Sequence, residues 1–262
     1  MMNKVPKRLF PLAWIVLFLA AVLVGLVAFY FSYMDVQSET VHDILQENFS
    51  WVLYLLPAIG LTIVTMLRVS FFRGTEGTGI PQTIAALDRD KETDREKMLS
   101  PRILFGKILL TTIGLFSGAS MGREGPTVQA GACIMYLCRK VVVLPQHLVQ
   151  RGLILAGGAA GIAAAFNAPI AGVVFSIEEI GRTFDKRNLG IIIGVVLVAC
   201  SVCIGFFGDY WFYGEVKVPI VSWQVWVFVP LIAICMGVSG GLFSCFIVRV
   251  YPRVSKIMFQ RP

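Results

Sequence analysis

Long apolar runs alternate with short polar connections along the whole chain. The main apolar runs cover about 9–33, 51–72, 103–116, 189–207 and 223–248. A spanning helix needs ~20 apolar residues, and the first run exceeds that length. The composition agrees, because 56% of the residues are hydrophobic and only 15% are charged, with a mean hydropathy of +0.76 that lies outside the range of most soluble domains. The pattern predicts an all-α, multi-pass protein of the inner or plasma membrane.

The charges between these runs predict how the chain is oriented. Lys4, Lys7 and Arg8 precede the first run, whereas segment 34–50 has four acidic residues and no lysine or arginine. Basic residues favour the cytoplasmic side. We therefore expect both termini in the cytoplasm and an external loop over 34–50. The net charge of +7 follows from these short basic runs, so it does not indicate nucleic-acid binding.

Three breaks marked by glycine or proline interrupt the apolar pattern, at 77–81, 122–126 and 167–169. Several apolar runs are also shorter than a bilayer requires, which favours tilted and broken helices over a simple bundle. Two helix N-termini meeting in mid-membrane would offer backbone N–H groups to an anion, and Thr78 would add a hydroxyl donor.

One ionisable pair, Arg123 and Glu124, lies in the second break. Such groups are costly in a membrane segment and commonly line a polar path. A carboxylate tethered at an anion site can occupy that site when ionised and leave it when protonated, which links proton and anion binding. For Arg123 we expect a structural role, pairing or capping near the bend.

These breaks carry a family resemblance. The segments 77–81 (GTGIP), 122–126 (GREGP), 165–172 (AFNAPIAG) and 175–179 (FSIEE) resemble, in that order, the CLC family of chloride channels and proton/chloride exchangers. The resemblance implies that Glu124 is the gating glutamate, that Glu179 transfers protons, and that Thr78 replaces the family's serine as hydroxyl donor. The implied anion-binding residues are Gly77, Thr78, Gly79, Ile80, Pro81, Gly122, Arg123, Gly125 and Pro126.

The resemblance further implies chloride transport coupled to proton exchange by a homodimer in the lipid bilayer, with no metal or organic cofactor. It covers about half of a family subunit. We therefore expect one incomplete domain over 1–262, with a first inverted repeat at about 9–208 and the first helix of the second repeat at about 223–250. The family's later Gly-x-Phe-x-Pro segment has no counterpart, since 241–245 reads GLFSC. We expect a fragment, a truncated product or a half that needs a missing partner.

The residues also allow other interpretations. The chain could form a passive, voltage-gated type of chloride channel, and Glu179 could be an interfacial acid paired with Arg182 or Lys186. Ser120 lies in a Gly-x-Ser-x-Gly pattern typical of serine hydrolases, but the pattern needs a nearby base.

Other polar residues predict little chemistry. We expect both histidines, His42 and His147, in loops at the membrane surface, so that no enzyme is predicted. Cys200 and Cys203 have the spacing of a redox or zinc pair but no second pair to complete it. Segment 88–102, with charges of alternating sign, predicts a solvated cytoplasmic loop.

Overall fold

The computed structural model describes residues 10–89, 91–140, 146–181, 186–208, 223 and 225–259. This part of the chain is helical and contains no strand, which confirms the all-α prediction. Its helices are α1 (Phe10–Phe49), α2 (Val52–Ser70), α3 (Ile80–Asp88), α4 (Glu92–Met98), α5 (Pro101–Phe116), α6 (Glu124–Leu137), α7 (Gln146–Phe166), α8 (Pro169–Phe175), α9 (Lys186–Phe207) and α10 (Val225–Phe259). A 3₁₀ turn, Cys138–Lys140, follows α6, and a π-helical turn, Ser176–Ile180, follows α8.

The chain divides into two compact units, Met1–Phe212 and Tyr213–Pro262. In the first unit, α6 and α7 form the centre and α1, α5 and α9 pack around them. Every residue of α6 from 125 to 136 is buried. In the second unit, α10 is apolar and contains Pro230 and Pro252, and nearly all of its described side chains are exposed.

Small residues let α6 and α7 cross with their backbones in contact. A Cβ added to Gly131 would overlap with the carbonyl of Gly157, and a Cβ added to Gly157 would lie 2.8 Å from the backbone nitrogen of Ala132. Such close approach of small residues is how helices associate in an apolar solvent. The Gly/Ala-rich sequence of α7 therefore serves packing.

Within the described residues, five helical stretches are long and apolar enough to cross a membrane: Pro11–Phe49, Val52–Ser70, Glu92–Phe116, Leu189–Phe207 and Trp226–Arg253. The helices α3, α6 and α8 are shorter, with 9, 14 and 7 residues. At ~1.5 Å per residue none of these three reaches across a hydrocarbon core of ~30 Å. This confirms the prediction of partial helices.

The prediction of an external loop over 34–50 is wrong, because α1 continues to Phe49. The sequence has no glycine or proline from 26 to 49, so nothing in it stops the helix. Tertiary contacts also support the extension, since Ser38 is buried and His42 contacts the backbone of α5. His42 therefore lies on a helix and not in a surface loop.

The prediction of a solvated loop over 88–102 is wrong about the loop, although most described side chains of the segment are exposed. This segment contains α4 and the start of α5. Arg95 of α4 is buried and donates hydrogen bonds to the carbonyl of Ala86, at 3.1 Å, and to the side chain of Gln150. Charges of alternating sign thus mark a short helix with one packed face.

The structure also bears on the expectations for His147 and for the pair Cys200 and Cys203. His147 is part of α7, which begins at Gln146, and not of a connection before it. Cys200 and Cys203 are both buried in α9 and do not form a disulfide bond.

Candidate functional site

The turn before α3 is held by a buried lysine. Gly77 and Gly79 adopt positive φ angles of 67° and 116°, which only glycine adopts without strain. Lys107 of α5 donates hydrogen bonds to the carbonyls of Thr75, at 3.0 Å, and Gly77, at 2.7 Å. These bonds satisfy the buried ammonium group and fix the backbone on both sides of Glu76.

A backbone N–H group at the start of α3 forms a hydrogen bond with a side chain of the same helix. The N–H of Gly79 donates to Oε1 of Gln82 at 3.0 Å, and Gln82 in turn donates to the carbonyl of Glu76. The first N–H groups of a helix lack partners within it, so a nearby side chain commonly accepts from them. Ile80 is half-buried and Pro81 is exposed at this helix start. The N–H of Gly79 is therefore engaged inside the protein.

The first two sequence breaks pack directly against each other. A Cβ added to Gly79 would lie 2.7 Å from the carbonyl oxygen of Gly125, and a Cβ added to Gly125 would lie 2.7 Å from the carbonyl oxygen of Thr78. Only glycines permit this approach. The N-terminal ends of α3 and α6 thus lie side by side.

A cavity of about 340 Å³ lies along these two helix starts. Thr78 is exposed in it, and Lys107 and Arg68 contribute cationic side chains. Its further lining residues are Val64, Thr65, Thr75, Glu76, Gly77, Leu110, Thr111, Ser120, Met121, Gly122 and Pro126. Hydroxyl groups and two cations against one carboxylate make a lining suited to a small anion.

Glu124 is the first residue of α6 and is half-buried. Its carboxylate lies against the Cα of Gly122, so that a Cβ at position 122 would overlap with the carboxylate oxygen Oε2. Gly122 itself lines the cavity. The ionisable group therefore lies at the margin of the polar space.

Arg123 is buried beside the bend and forms an ion pair with Asp35 of α1, with 3.2 Å between Nη1 and Oδ2. Its carbonyl accepts a hydrogen bond from the hydroxyl of Thr127 at 2.6 Å. The ion pair supports pairing as the role of Arg123, which occupies the N-cap position of α6 without a capping hydrogen bond from its side chain.

The third break lies elsewhere. Asn167, with a φ of 53°, separates α7 from α8. Residues 168–171 line a different groove together with Glu178. Glu179 is exposed in the π-helical turn, a form of helix often found at functional sites. Arg182 and the side chain of Lys186, the alternative partners of Glu179, lie outside the described residues.

Sequence reasoning missed three polar side chains of this region. Lys107 is a single cation inside an apolar run, which is the signal that could have identified it. Asp35 and His42 were assigned to a loop, and their roles follow only from the length of α1. His42 lies with its Nε2 atom 3.1 Å from the carbonyl oxygen of Phe116. That ring nitrogen is thus engaged with the backbone and not with Ser120.

The family model and three relatives that match this chain are all described as chloride channels or proton/chloride exchangers. Residues 59–262 match the family model described as voltage gated chloride channel. The H(+)/Cl(-) exchange transporter ClcA of Cronobacter sakazakii is 29% identical over 91% of this chain and 52% of its own length. ClcA of Vibrio vulnificus is 32% identical over 73% of the chain and 42% of its own length. The human H(+)/Cl(-) exchange transporter 3 is 30% identical over 76% of the chain and 24% of its own length.

The fold is also found in solved structures. A slow cyanobacterial Cl-/H+ antiporter superposes with a TM-score of 0.77 at 24% identity, covering 93% of this chain and 58% of that one. A CLC-type fluoride/proton antiporter superposes with a TM-score of 0.70 at 21% identity, covering 99% of this chain and 62% of that one. The chain spans about half the length of the bacterial relatives it matches. On the strength of the family match, the chain belongs to the CLC family of voltage-gated chloride channels and their exchanger relatives.

Proposed function

We propose that this chain supplies one half of a pathway that moves chloride across the membrane in exchange for protons. The observation that carries the proposal is the packing of Thr78 and Gly79 against Gly125, which brings two helix starts to the edge of one cavity. Helix N-termini and hydroxyl groups bind anions without a full positive charge, so a bound chloride ion can also leave.

Glu124 is the proposed gate. When the carboxylate of Glu124 is ionised, it competes with chloride for the N-terminal end of α6. When this carboxylate is protonated, it no longer repels the anion. Its position beside Gly122, at the margin of the cavity, supports this competition. Binding of a proton and binding of chloride are thereby coupled at one residue.

Proton exchange, as opposed to passive conduction, is supported by two observations. The relatives over most of this chain are named exchange transporters. Glu179 also offers a second carboxylate, exposed in the π-helical turn after α8. In the proposal, Glu179 passes protons between the cytoplasm and Glu124.

The remaining parts of the proposal concern the assembly. We propose that both termini are cytoplasmic and that the working protein is a homodimer with one pathway per subunit. A second half, of the kind found in relatives about twice as long, would complete each pathway. The cavity beside Thr78 is the part of the pathway assigned to this half.

The proposal is tested at Glu179 in proteoliposomes that contain this chain purified together with the half that completes its pathway. Replacing Glu179→Gln removes a titrating group, so chloride should still move while its gradient no longer drives protons uphill. Glu178→Gln is the matched control, because Glu178 is the adjacent exposed acid in the same π-helical turn. Wild-type protein that carries chloride and never moves protons against their gradient would favour the passive channel instead.

A hydrolase centred on Ser120 is the other function class. Ser120 is exposed in the same cavity as Thr78, and its substitution by alanine should leave transport largely intact. Loss of a measured hydrolytic activity in Ser120→Ala would contradict the transport proposal for this site.

A further inference from the structure

The C-terminal half of α1 makes three polar contacts with α5 and with the residue before α6. The hydroxyl of Tyr30 lies 3.3 Å from Oγ1 of Thr112. Asp35 pairs with Arg123 at 3.2 Å, and Nε2 of His42 lies 3.1 Å from the carbonyl oxygen of Phe116. None of these contacts involves the cavity residues themselves.

Two of these contacts lie on one face of the helix. Asp35 and His42 are seven residues apart, which is close to two full turns, so their side chains project in nearly the same direction. Their partners, Arg123 and Phe116, bracket residues 117–122, which we call the α5–α6 connector. One rigid helix thus holds both ends of the connector that leads into Glu124.

The contacts of Asp35 and His42 each satisfy a charged or polar group of the protein. Arg123 is 8% exposed, so its buried charge requires compensation, and the carboxylate of Asp35 supplies part of it. The carbonyl of Phe116 belongs to the last turn of α5, where backbone oxygens lack partners within the helix. An imidazole N–H from His42 satisfies this oxygen and complements the negative end of the helix dipole.

The connector is also packed against His42. Gly118 has a φ of 70°, and a Cβ added to it would lie 3.3 Å from Nε2 of His42. Arg123 directly precedes Glu124 in the chain. Any displacement of Arg123 therefore moves the backbone that carries the carboxylate.

We propose that Asp35 and His42 are positioning residues, which fix the α5–α6 connector and thereby the place of Glu124 at the margin of the anion cavity. The inference rests on the proposed function for Glu124. It predicts that the extension of α1 determines how tightly proton movement follows chloride movement, although α1 supplies no group to the cavity described above.

The first test measures the connector without reference to transport. Amide hydrogen exchange of peptides covering 116–124 should accelerate about tenfold in both variants, because Asp35→Asn removes the negative charge that pairs with Arg123 and His42→Phe removes a hydrogen bond. Tenfold in an opening equilibrium corresponds to ~1.4 kcal/mol. The matched controls are Glu39→Gln, an exposed acid one turn from Asp35, and Asn48→Ala, whose amide bonds only to Ile44 of its own helix. Asp35→Glu keeps the charge and should retain slow exchange.

The second test measures protons moved per chloride. Asp35→Asn and His42→Phe should lower this ratio about threefold or more, as expected when a reacting group is displaced. In a Glu124→Gln background, in which no protons are carried, the same changes should leave chloride flux unchanged, because the residue through which they act is already absent. A general loss of packing would instead change flux in both backgrounds.

The outcomes separate the two proposals. Unchanged exchange and an unchanged ratio in both variants, relative to their controls, would overturn the positioning inference. Faster exchange in the variants together with wild-type chloride flux that never carries protons would support a held connector and overturn the proposed exchange. His42→Phe keeps the ion pair of Arg123 intact, so the inference stays testable if Asp35→Asn does not fold.

Discussion

Thr78 is the side chain proposed to donate a hydrogen bond to chloride. It follows Gly77 in the turn held by Lys107, and it is exposed in the cavity beside α6. Thr78→Val removes the hydroxyl but keeps the shape. Because a hydrogen bond to an ion contributes ~1.5–3 kcal/mol, the chloride concentration at half-maximal flux should rise about tenfold or more.

The control for this prediction is Thr78→Ser, which keeps the hydroxyl and removes only the methyl group. Its half-maximal chloride concentration should stay within about twofold of the wild-type value, since no donor is lost. Equal values for Thr78→Val and wild type would show that the hydroxyl does not bind the transported anion.

The sequence motifs predicted which backbone segments form the site, whereas the contacts of individual side chains were harder to predict. The glycines at 79 and 125 could be read from the sequence because each break needs close backbone approach. The hydrogen bond from the Gly79 N–H to Gln82 could not be predicted from the sequence, because it depends on the rotamer of one flexible side chain. Lys107 carried a usable signal, a lone charge in an apolar run, whereas Arg68 became relevant only through its place in the cavity.

Among the helices, the crossing of α6 and α7 is the contact most sensitive to side-chain size. Gly157→Ala would press a methyl group against the backbone of Gly131 and Ala132. We expect it to lower the free energy of unfolding by ~1–3 kcal/mol, because neither backbone can move aside. Thermal unfolding of the purified protein in detergent measures this change.

Gly194→Ala in α9 is the matched control for that prediction, since nothing lies within 4 Å of a Cβ added there. Alanine favours the helix by ~0.5–1 kcal/mol over glycine, so this variant should be as stable as wild type or slightly more stable. A Gly157→Ala variant as stable as Gly194→Ala would contradict the backbone crossing.

The short helix α4 is held to the end of α6 by Arg139. Its side chain is 4% exposed, donates to Glu92 at 2.9 Å, also pairs with Glu96, and lies 3.9 Å from the centre of the Tyr136 ring. Arg139→Gln should reduce the free energy of unfolding by ~1–3 kcal/mol, less than for a fully buried pair because both carboxylates are half-exposed.

Lys97→Gln provides the comparison for Arg139. It breaks the ion pair with Asp94, in which the lysine side chain is 75% exposed, and such surface pairs contribute ~0–1 kcal/mol. The two melting temperatures should therefore separate clearly. If both variants melt together with wild type, α4 is not held by its ion pairs.

Helix existence was easier to predict than helix length. The apolar runs correctly predicted the positions of α2, α5, α9 and α10. The breaks that contain proline correctly predicted where α3, α6 and α8 begin. The extension of α1 through 34–49 was missed because hydropathy falls where a helix leaves an apolar environment, whether or not the helix stops. Contacts made across long sequence separations, such as His42 with Phe116, decide that question.

For the whole molecule, the central claim is that one carboxylate links chloride movement to proton movement. The family and the fold were predictable from three motifs in their order along the chain, and the family match and the superpositions agree. Which residues transfer protons depends on motion between states, and a pattern of residues does not encode that motion directly. This claim therefore needs a measurement of transport.

The decisive measurement is proton movement driven by a chloride gradient in proteoliposomes, comparing wild type with Glu124→Gln over a range of pH. Protonation removes the competing charge, so wild-type chloride flux should rise as pH falls and should carry protons uphill. Glu124→Gln mimics the protonated side chain, and its chloride flux should be independent of pH and carry no protons. Uphill proton movement that persists in Glu124→Gln would contradict the account.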